Sequence, residues 1–252
     1  MAGPSRVADI SHAVVPGVPM IGAPAPEARL ALYWAPGYDD PLHRLGSAWL
    51  GRDAESGAPM HQPVLPGLDI AELTADPRGY GLHATLKPPF RLAVSWVEAV
   101  AAAEALAART APFALPPLAV ADLDGFLALR ETTPCPALHA LADACVEALD
   151  ACRAPPGEAE LARRRRHGLT ARQEALLTRF GYPHVLEEWR FHVTLTRRLS
   201  AAEKAVVLPA VTEFLGDAPA RPRLVSELAL FTQAKAGAPF LIAERLPLRG
   251  AA

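Results

Sequence analysis

Beyond residue 28 the chain alternates between short apolar runs closed by Pro or Gly and longer stretches with apolar residues at helical spacing. Leu30–Ala35 reads as a strand stopped by Pro36-Gly37, and Pro41–Leu50 as a helix ended by Gly51. A polar loop follows over Asp53–Pro66, then a helical turn at Asp69–Leu73 and a strand at about Gly81–Leu86, closed by Pro88-Pro89. Trp96, Val100, Ala103 and Leu106 mark one face of an amphipathic helix. Pro112 breaks it, and Phe113–Ala121 with Gly125–Arg130 reads as a hairpin around Asp122-Leu123-Asp124.

A second stretch repeats that order. A strand near Val193 leads to the capping box Ser200-x-x-Glu203 and a helix lined by Val207, Val211 and Phe214. Pro219 and Pro222 break this helix, and Arg223–Thr232 with Phe240–Leu248 forms a hairpin around Gly237. Between the two stretches, Leu138, Leu141, Cys145 and Leu149 predict a helix. Residues 155–181 read as a helical insertion whose second helix opens on the capping box Thr170-x-x-Gln173 and ends at Gly181. Residues 1–28 carry five prolines and no sustained period, and are expected to be a flexible leader. The domain expected is therefore 29–248, with halves at about 81–130 and 189–248 and the insertion at about 155–181.

Composition changes this picture little. The chain has 252 residues, 51% hydrophobic and 21% charged, which suits a globular domain with a sizeable core. A formal net charge of −2 lacks the basic footprint of a protein that tracks a long phosphate backbone, so nucleic acid is not the favoured partner, while a small anionic ligand is allowed. Cys135, Cys145 and Cys152 make no CxxC pair and read as reduced thiols in or near a helix, which points to a reducing compartment. No apolar run reaches the ~20 residues of a membrane span, and no secretory signal is evident, so the cytoplasm is expected.

Chemistry concentrates in one repeated tetrapeptide: His83-Ala84-Thr85-Leu86 and His192-Val193-Thr194-Leu195, the histidines 109 residues apart. In a strand, residues i and i+2 share a face, so each copy presents an imidazole beside a hydroxyl. Two such units in matching contexts suggest one site made by two lobes. Opening a strained cyclic phosphodiester needs a base on one side of phosphorus and an acid on the other. Two imidazoles with ordinary pKa near ~6.5 fill these roles, and Thr85 and Thr194 can donate to the non-bridging oxygens. The scheme requires no metal and no cofactor, and two histidines without a nearby third ligand fall short of a closed metal site.

Strand periodicity adds neighbours. Lys87 and Thr196 stand four residues beyond the two histidines and are expected on the working face; Arg190, two residues before His192, joins them if the strand starts early. Tyr33 on the first strand is a pocket-lining candidate where the ordinary reading is core. The run Arg163–Arg166 in the insertion is either a solvated helix face or a lid that contacts phosphate. His12, His43, His61, His139, His167 and His184 are read as surface or structural, with His184 a weak candidate.

These residues resemble the two-histidine (2H) phosphoesterase superfamily. The similarity covers roughly residues 29–248, and the segments Ala31–Pro36, Gly81–Phe90 and Arg190–Thr196 look like a bacterial branch associated with phosphonate utilisation. The resemblance implies a bilobal α+β fold: two antiparallel sheets around a pseudo-two-fold axis, a central groove, and helices outside. It also implies that His83 and His192 form the acid/base pair and that Thr85 and Thr194 hold phosphate. The expected activity is opening of a small cyclic phosphate, such as a phosphoribosyl cyclic phosphate from phosphonate breakdown. The alternatives are an RNA 2′,3′-cyclic phosphodiesterase or end-processing enzyme, and a non-catalytic phosphate-binding protein. The insertion and the 51–68 loop lie outside the superfamily's minimal core and would reshape the groove.

Overall fold

A computed structural model describes residues 27–166 and 168–251. The expected leader lies outside the described residues except for Glu27 and Ala28. The chain runs β1 (Arg29–Trp34), α1 (Pro41–Leu50), α2 (Ile70–Leu73), α3 (Ala75–Tyr80), β2 (Ala84–Arg91), α4 (Trp96–Arg109), β3 (Phe113–Leu115), β4 (Leu118–Leu123) and β5 (Phe126–Glu131). It continues through α5 (Pro136–Ala148), α6 (Glu158–Arg165), α7 (Ala171–Phe180), β6 (Val193–Arg198), α8 (Ala201–Leu215), β7 (Arg223–Val225), β8 (Glu227–Gln233) and β9 (Phe240–Pro247). The class is α+β, as expected.

Local chemistry accounts for the element ends. Asp40 caps α1 by accepting from the Leu42 N–H at 2.8 Å, and Pro41 occupies the first turn, where its missing N–H is harmless. Three helices open on full capping boxes: Ser95 with Glu98, Thr170 with Gln173, and Ser200 with Glu203. The first and third of these introduce the equivalent helices α4 and α8.

The strands form a seven-stranded antiparallel sheet in the order β4-β5-β6-β2-β1-β8-β9 and a two-stranded ribbon, β3-β7. The two expected sheets are thus two lobes of one sheet, β4-β5-β6 and β2-β1-β8-β9. They meet through a single residue pair, Ala84 with Val193. Those are the residues that follow the two histidines, so the seam joins equivalent positions and the pseudo-two-fold axis passes through it. The ribbon obeys the same axis, with Ala114 opposite Leu224 at its centre. The halves also exchange their hairpins. β4-β5 follows α4 in the first half but pairs with β6, while β8-β9 follows α8 in the second half but pairs with β1 beside β2.

Two details depart from the sequence reading. Pro88-Pro89 does not end β2, which runs on to Arg91. On one side β2 contacts β6 only at Ala84, and on the other its register with β1 shifts between Leu30 and Leu32, so the prolines remove no ladder bond there. The Phe113–Ala121 strand is divided by Pro116-Pro117, its first part joining the ribbon and its second the main sheet. β7 and β8 make the same hop in the other half.

β1 shows how the faces are used. Leu30, Leu32 and Trp34 enter the main core with residues of α1, α4, α5 and α8. Ala31, Tyr33 and Ala35 face the other way, into a smaller cluster with Phe231, Phe240 and Ile242. Of that second cluster, Tyr33 also lines the central groove. All three cysteines are buried free thiols.

Candidate active site

His83 and His192 occupy matching positions immediately before β2 and β6. Their Nδ1 atoms lie 2.9 Å from the Gly81 carbonyl and 2.8 Å from the Arg190 carbonyl. A carbonyl oxygen only accepts, so Nδ1 carries the hydrogen in each ring and Nε2 is the nitrogen left for chemistry. Gly81 adopts φ 82°, and a Cβ there would stand 2.4 Å from the Ala54 Cβ, so only glycine delivers this carbonyl. Thr85 and Thr194 follow on the same face, half-buried. All four side chains line one cavity of about 530 Å³, the size of a small-molecule site.

Tryptophans brace both motif strands from behind. The Trp189 indole donates to the Thr85 carbonyl at 2.7 Å, and the Trp49 indole donates to the Leu195 carbonyl at 3.0 Å. His83 is also sandwiched in aromatic rings, Tyr33 at 4.0 Å and Tyr80 at 5.7 Å between centroids. His192 meets Phe126 edge-on at 6.0 Å.

Burial dominates the electrostatics of the pair. Burial pulls His83 down to about 4, reinforced by the nearby His192 and opposed by the Gly81 hydrogen bond. His192 is also lowered, mainly by burial, against the Arg190 carbonyl, which favours its charged form. Around them the cavity is cationic: Arg29, Arg163, Arg164, Arg197 and Arg198 line it, against the single acid Asp76. Arg197 is held by Glu72 at 2.8 Å and Glu203 at 3.0 Å.

The neighbours nominated by strand period fare unequally. Tyr33 lines the cavity and stacks on His83. Thr196 lines it too, but its hydroxyl accepts from the Leu127 N–H at 3.0 Å, where the β5–β6 register is irregular. Arg190 borders an adjoining cavity of about 350 Å³, which shares Thr85, Phe126, Tyr182 and His192 with the first. His184 lies there as well.

Lys87 is a correction. It is absent from the cavity lining and buried, its Nζ donating to the Val146 carbonyl at 2.7 Å and lying 3.7 Å from Asp150. Thr85 pairs with Tyr33 but Lys87 pairs with Leu32, whose side chain points into the opposite core. The register shift between those pairs turns Lys87 to the helix side.

The sequence reading missed Tyr80, Phe126, Tyr182, Arg29, Arg197 and Arg198 as lining residues. Arg197-Arg198, directly after the second motif, was the one signal available; the aromatic residues come from separate elements with no shared pattern. His43 is a buried partner of Asp53 at 3.2 Å, and His139 packs edge-on against Trp189. His12 and His167 lie outside the described residues. Among the described residues, no three His, Cys, Asp or Glu side chains gather as a metal-ligand cluster, and no helix is long and apolar enough to cross a membrane.

The fold and site define an α+β protein with two His-x-Thr units meeting across a pseudo-two-fold axis. The chain belongs to the family described as Protein of unknown function (DUF1045), which matches residues 85–241. A protein named ribose 1,5-bisphosphate phosphokinase PhnN from Janthinobacterium sp. (strain Marseille) is 41% identical over 231 residues, 88% of this chain and 51% of that protein. Its namesake from Laribacter hongkongensis (strain HLHK9) is 41% identical over 214 residues, 84% of this chain and 50% of that one. The chain spans about half the length of these curated relatives. Among solved structures, E. coli LigT complexed with phosphate aligns over 90% of this chain and 98% of its own, with TM-score 0.45 and 16% identity. LigT complexed with 3′-AMP aligns over 88% and 98%, with TM-score 0.42 and 18% identity.

Proposed function

We propose that this chain is a phosphoesterase of the two-histidine type that opens the cyclic phosphodiester of a small phosphorylated sugar. The observation that carries the reading is the matched pair of imidazoles, each with Nδ1 committed to a carbonyl and Nε2 free, on the wall of one cationic cavity. His83, the more strongly depressed ring, is neutral and accepts the proton of the attacking water through Nε2. The water oxygen bonds to phosphorus, and the ring P–O bond breaks on the opposite side. His192, protonated, delivers its proton to the departing oxygen. The product is a ring-opened monoester, and proton exchange with solvent restores both rings. Thr85 and Thr194 donate to the non-bridging oxygens, where negative charge is held throughout.

A sugar phosphate is favoured by the name carried by the curated relatives, which specifies a phosphorylated ribose. Their kinase activity does not carry over directly: this sequence has no Gly-Lys dipeptide, and so no Gly-x-x-x-x-Gly-Lys-Ser/Thr phosphate loop. A second reading, hydrolysis of 2′,3′-cyclic ends on RNA, draws on the aromatic residues Tyr80, Phe126 and Tyr182 in the lining, which give a base surfaces on which to stack.

The test is a panel of a ribose cyclic phosphate, a cyclic mononucleotide and a cyclic-ended oligonucleotide, assayed with EDTA present. Turnover is expected to be fastest on the sugar phosphate, with His83→Ala and His192→Ala each losing at least about 10²-fold. Full activity in either variant overturns the mechanism. Preference for the oligonucleotide transfers the function to RNA ends, and binding without turnover makes the protein a phosphate-ligand receptor.

A further inference from the structure

We propose that Arg52 is a positioning residue for the histidine pair: it fastens the end of α3, and through it the Tyr80 ring and the Gly81 carbonyl that hold His83. Its kinetic consequences rest on the two-histidine reading above; its consequences for the His83 ring do not.

His83 is gripped by two consecutive residues. Tyr80 stacks on the ring, and the Gly81 carbonyl accepts from Nδ1 at 2.9 Å. Both lie where the backbone supports itself least. Tyr80 is the last residue of the six-residue α3 and stands between Gly79 and Gly81. A Cβ at Gly79 would meet nothing within 4 Å, so packing does not clamp the turn from that side. Arg52 supplies the clamp. Its Nε donates to the Arg78 carbonyl at 3.0 Å and its Nη2 to the Gly79 carbonyl at 3.3 Å. These belong to the last turn, whose carbonyls a helix leaves without partners, and the second is in the peptide group that leads into Tyr80.

The base of the clamp is itself fixed. Arg52 follows the left-handed Gly51 at the end of α1 and bridges to Pro59. Asp53 accepts from the Glu55 N–H at 2.9 Å and the Ser56 hydroxyl at 2.8 Å, and lies 3.2 Å from His43. The Ala54 carbonyl accepts from the Ile242 N–H of β9 at 2.9 Å. The 51–68 loop contributes no residue to the cavity lining, yet through Arg52 it reaches the histidine from outside. Arg52 is buried, burial lowers its value against the charge of Asp53, and its Nη1 has no partner among the described residues. A side chain that only filled this space would do so at less cost as hydrocarbon, so the two donors are what the position keeps. The Arg52 charge is not what moves His83; burial, the Gly81 bond and His192 do that. Its influence runs through backbone geometry.

The experiment follows the His83 ring by nitrogen NMR of isotope-labelled histidine, its signals assigned by their loss in His83→Ala. Wild type is compared with Arg52→Lys, Arg52→Met and the control Arg245→Met. Arg245 pins the same loop through Glu55 at 2.9 Å and bonds neither α3 carbonyl. In wild type the neutral ring should hold its hydrogen on Nδ1. In Arg52→Met it should exchange between tautomers, and its pKa should rise from about 4 by about one unit or more, with His192 unmoved. Arg52→Lys keeps the charge but reaches one carbonyl only, and should fall between the two. On the cyclic phosphate, kcat should drop about tenfold in Arg52→Met with KM within about twofold. Arg245→Met should lose stability yet match wild type in both readouts. A wild-type tautomer and value for His83 in folded Arg52→Lys and Arg52→Met overturns the assignment, and so does an equal shift in the control. If Arg52→Met does not fold, Arg52→Lys decides alone. If wild type turns over no cyclic phosphate, the phosphoesterase reading fails, and the ring measurement still decides the role of Arg52.

Discussion

The burial of His83 makes a quantitative demand on how the activity responds to pH. Moving a histidine from an ordinary value near 6.5 to about 4 corresponds to about 3 kcal/mol of preference for the neutral ring. At pH 6 only about 1% of His83 is then protonated, and at pH 5 about 10%. As the base it is ready across that whole range. His192 must start protonated, and its own value lies below 6.5. In the free enzyme kcat/KM should therefore be level from about pH 5 to the His192 value, then fall roughly tenfold per unit above it. The optimum lies on the acid side of neutrality. The limbs of such a profile belong to the coupled pair, so a perturbation must assign them. Tyr80 supplies one, because it stacks on His83 yet is 37% exposed, and its loss admits water without hollowing the core. Tyr80→Ala should raise the acid limb from about 4 by about one unit or more, and leave the alkaline limb in place. Stopped-time assays from pH 3 to 9 at substrate concentrations well below KM measure both limbs. A wild-type acid limb at 6.5, or an alkaline limb that moves with Tyr80→Ala, would refute the assignment of His83 as the neutral partner.

Three other substitutions test how the site is built. Gly81→Ala forces a side chain onto φ 82° and against Ala54, and should cost roughly 1–3 kcal/mol in denaturant unfolding while lowering kcat by dislodging the carbonyl that fixes His83. Lys87→Met removes a buried cation whose value burial lowers to about 8, and leaves Asp150 still paired with Arg153 at 2.9 Å. Because the fold favours the neutral amine, the charged form costs stability below pH 8, and that cost fades as pH rises through 8 toward 10.5. The variant should be at least as stable as wild type at pH 7 by thermal unfolding, with kcat/KM within about twofold; a large loss of activity would return Lys87 to the site. Trp189→Phe leaves the Thr85 carbonyl without its donor and should cost about 1–3 kcal/mol, with a fall in kcat that an equally destabilising change in α8 does not produce.

What could be read in the sequence was what repeats. The His-x-Thr units, the helices behind them and the two hairpins have local signatures: strand alternation, capping boxes, and Gly or Pro at the ends. Those signatures also gave the order of both halves. Lys87 escaped because counting by two assumes an unbroken strand, and the β1–β2 shift that turns it inward depends on pairing with a strand more than fifty residues away. Tyr80 ends a short helix and Tyr182 follows the insertion, so nothing local linked either to His83. The exchange of hairpins between halves was equally hidden, since both pairings are long-range choices. Arg163–Arg166 was visible as a run, but which of its members border the cavity, Arg163 and Arg164, is decided by where α6 lies.

The swapped hairpins also set a timetable for synthesis. Arg29 at the start of β1 bonds Gln233 at the end of β8, 204 positions away. While the ribosome is making everything between them, β1 has β2 on one side and a bare apolar edge on the other. Such edges invite pairing with other chains. A nascent chain halted before β8 should therefore aggregate or recruit a chaperone rather than wait as a working half. The lobe that carries His83 is completed only by a hairpin translated after the lobe that carries His192 has been made.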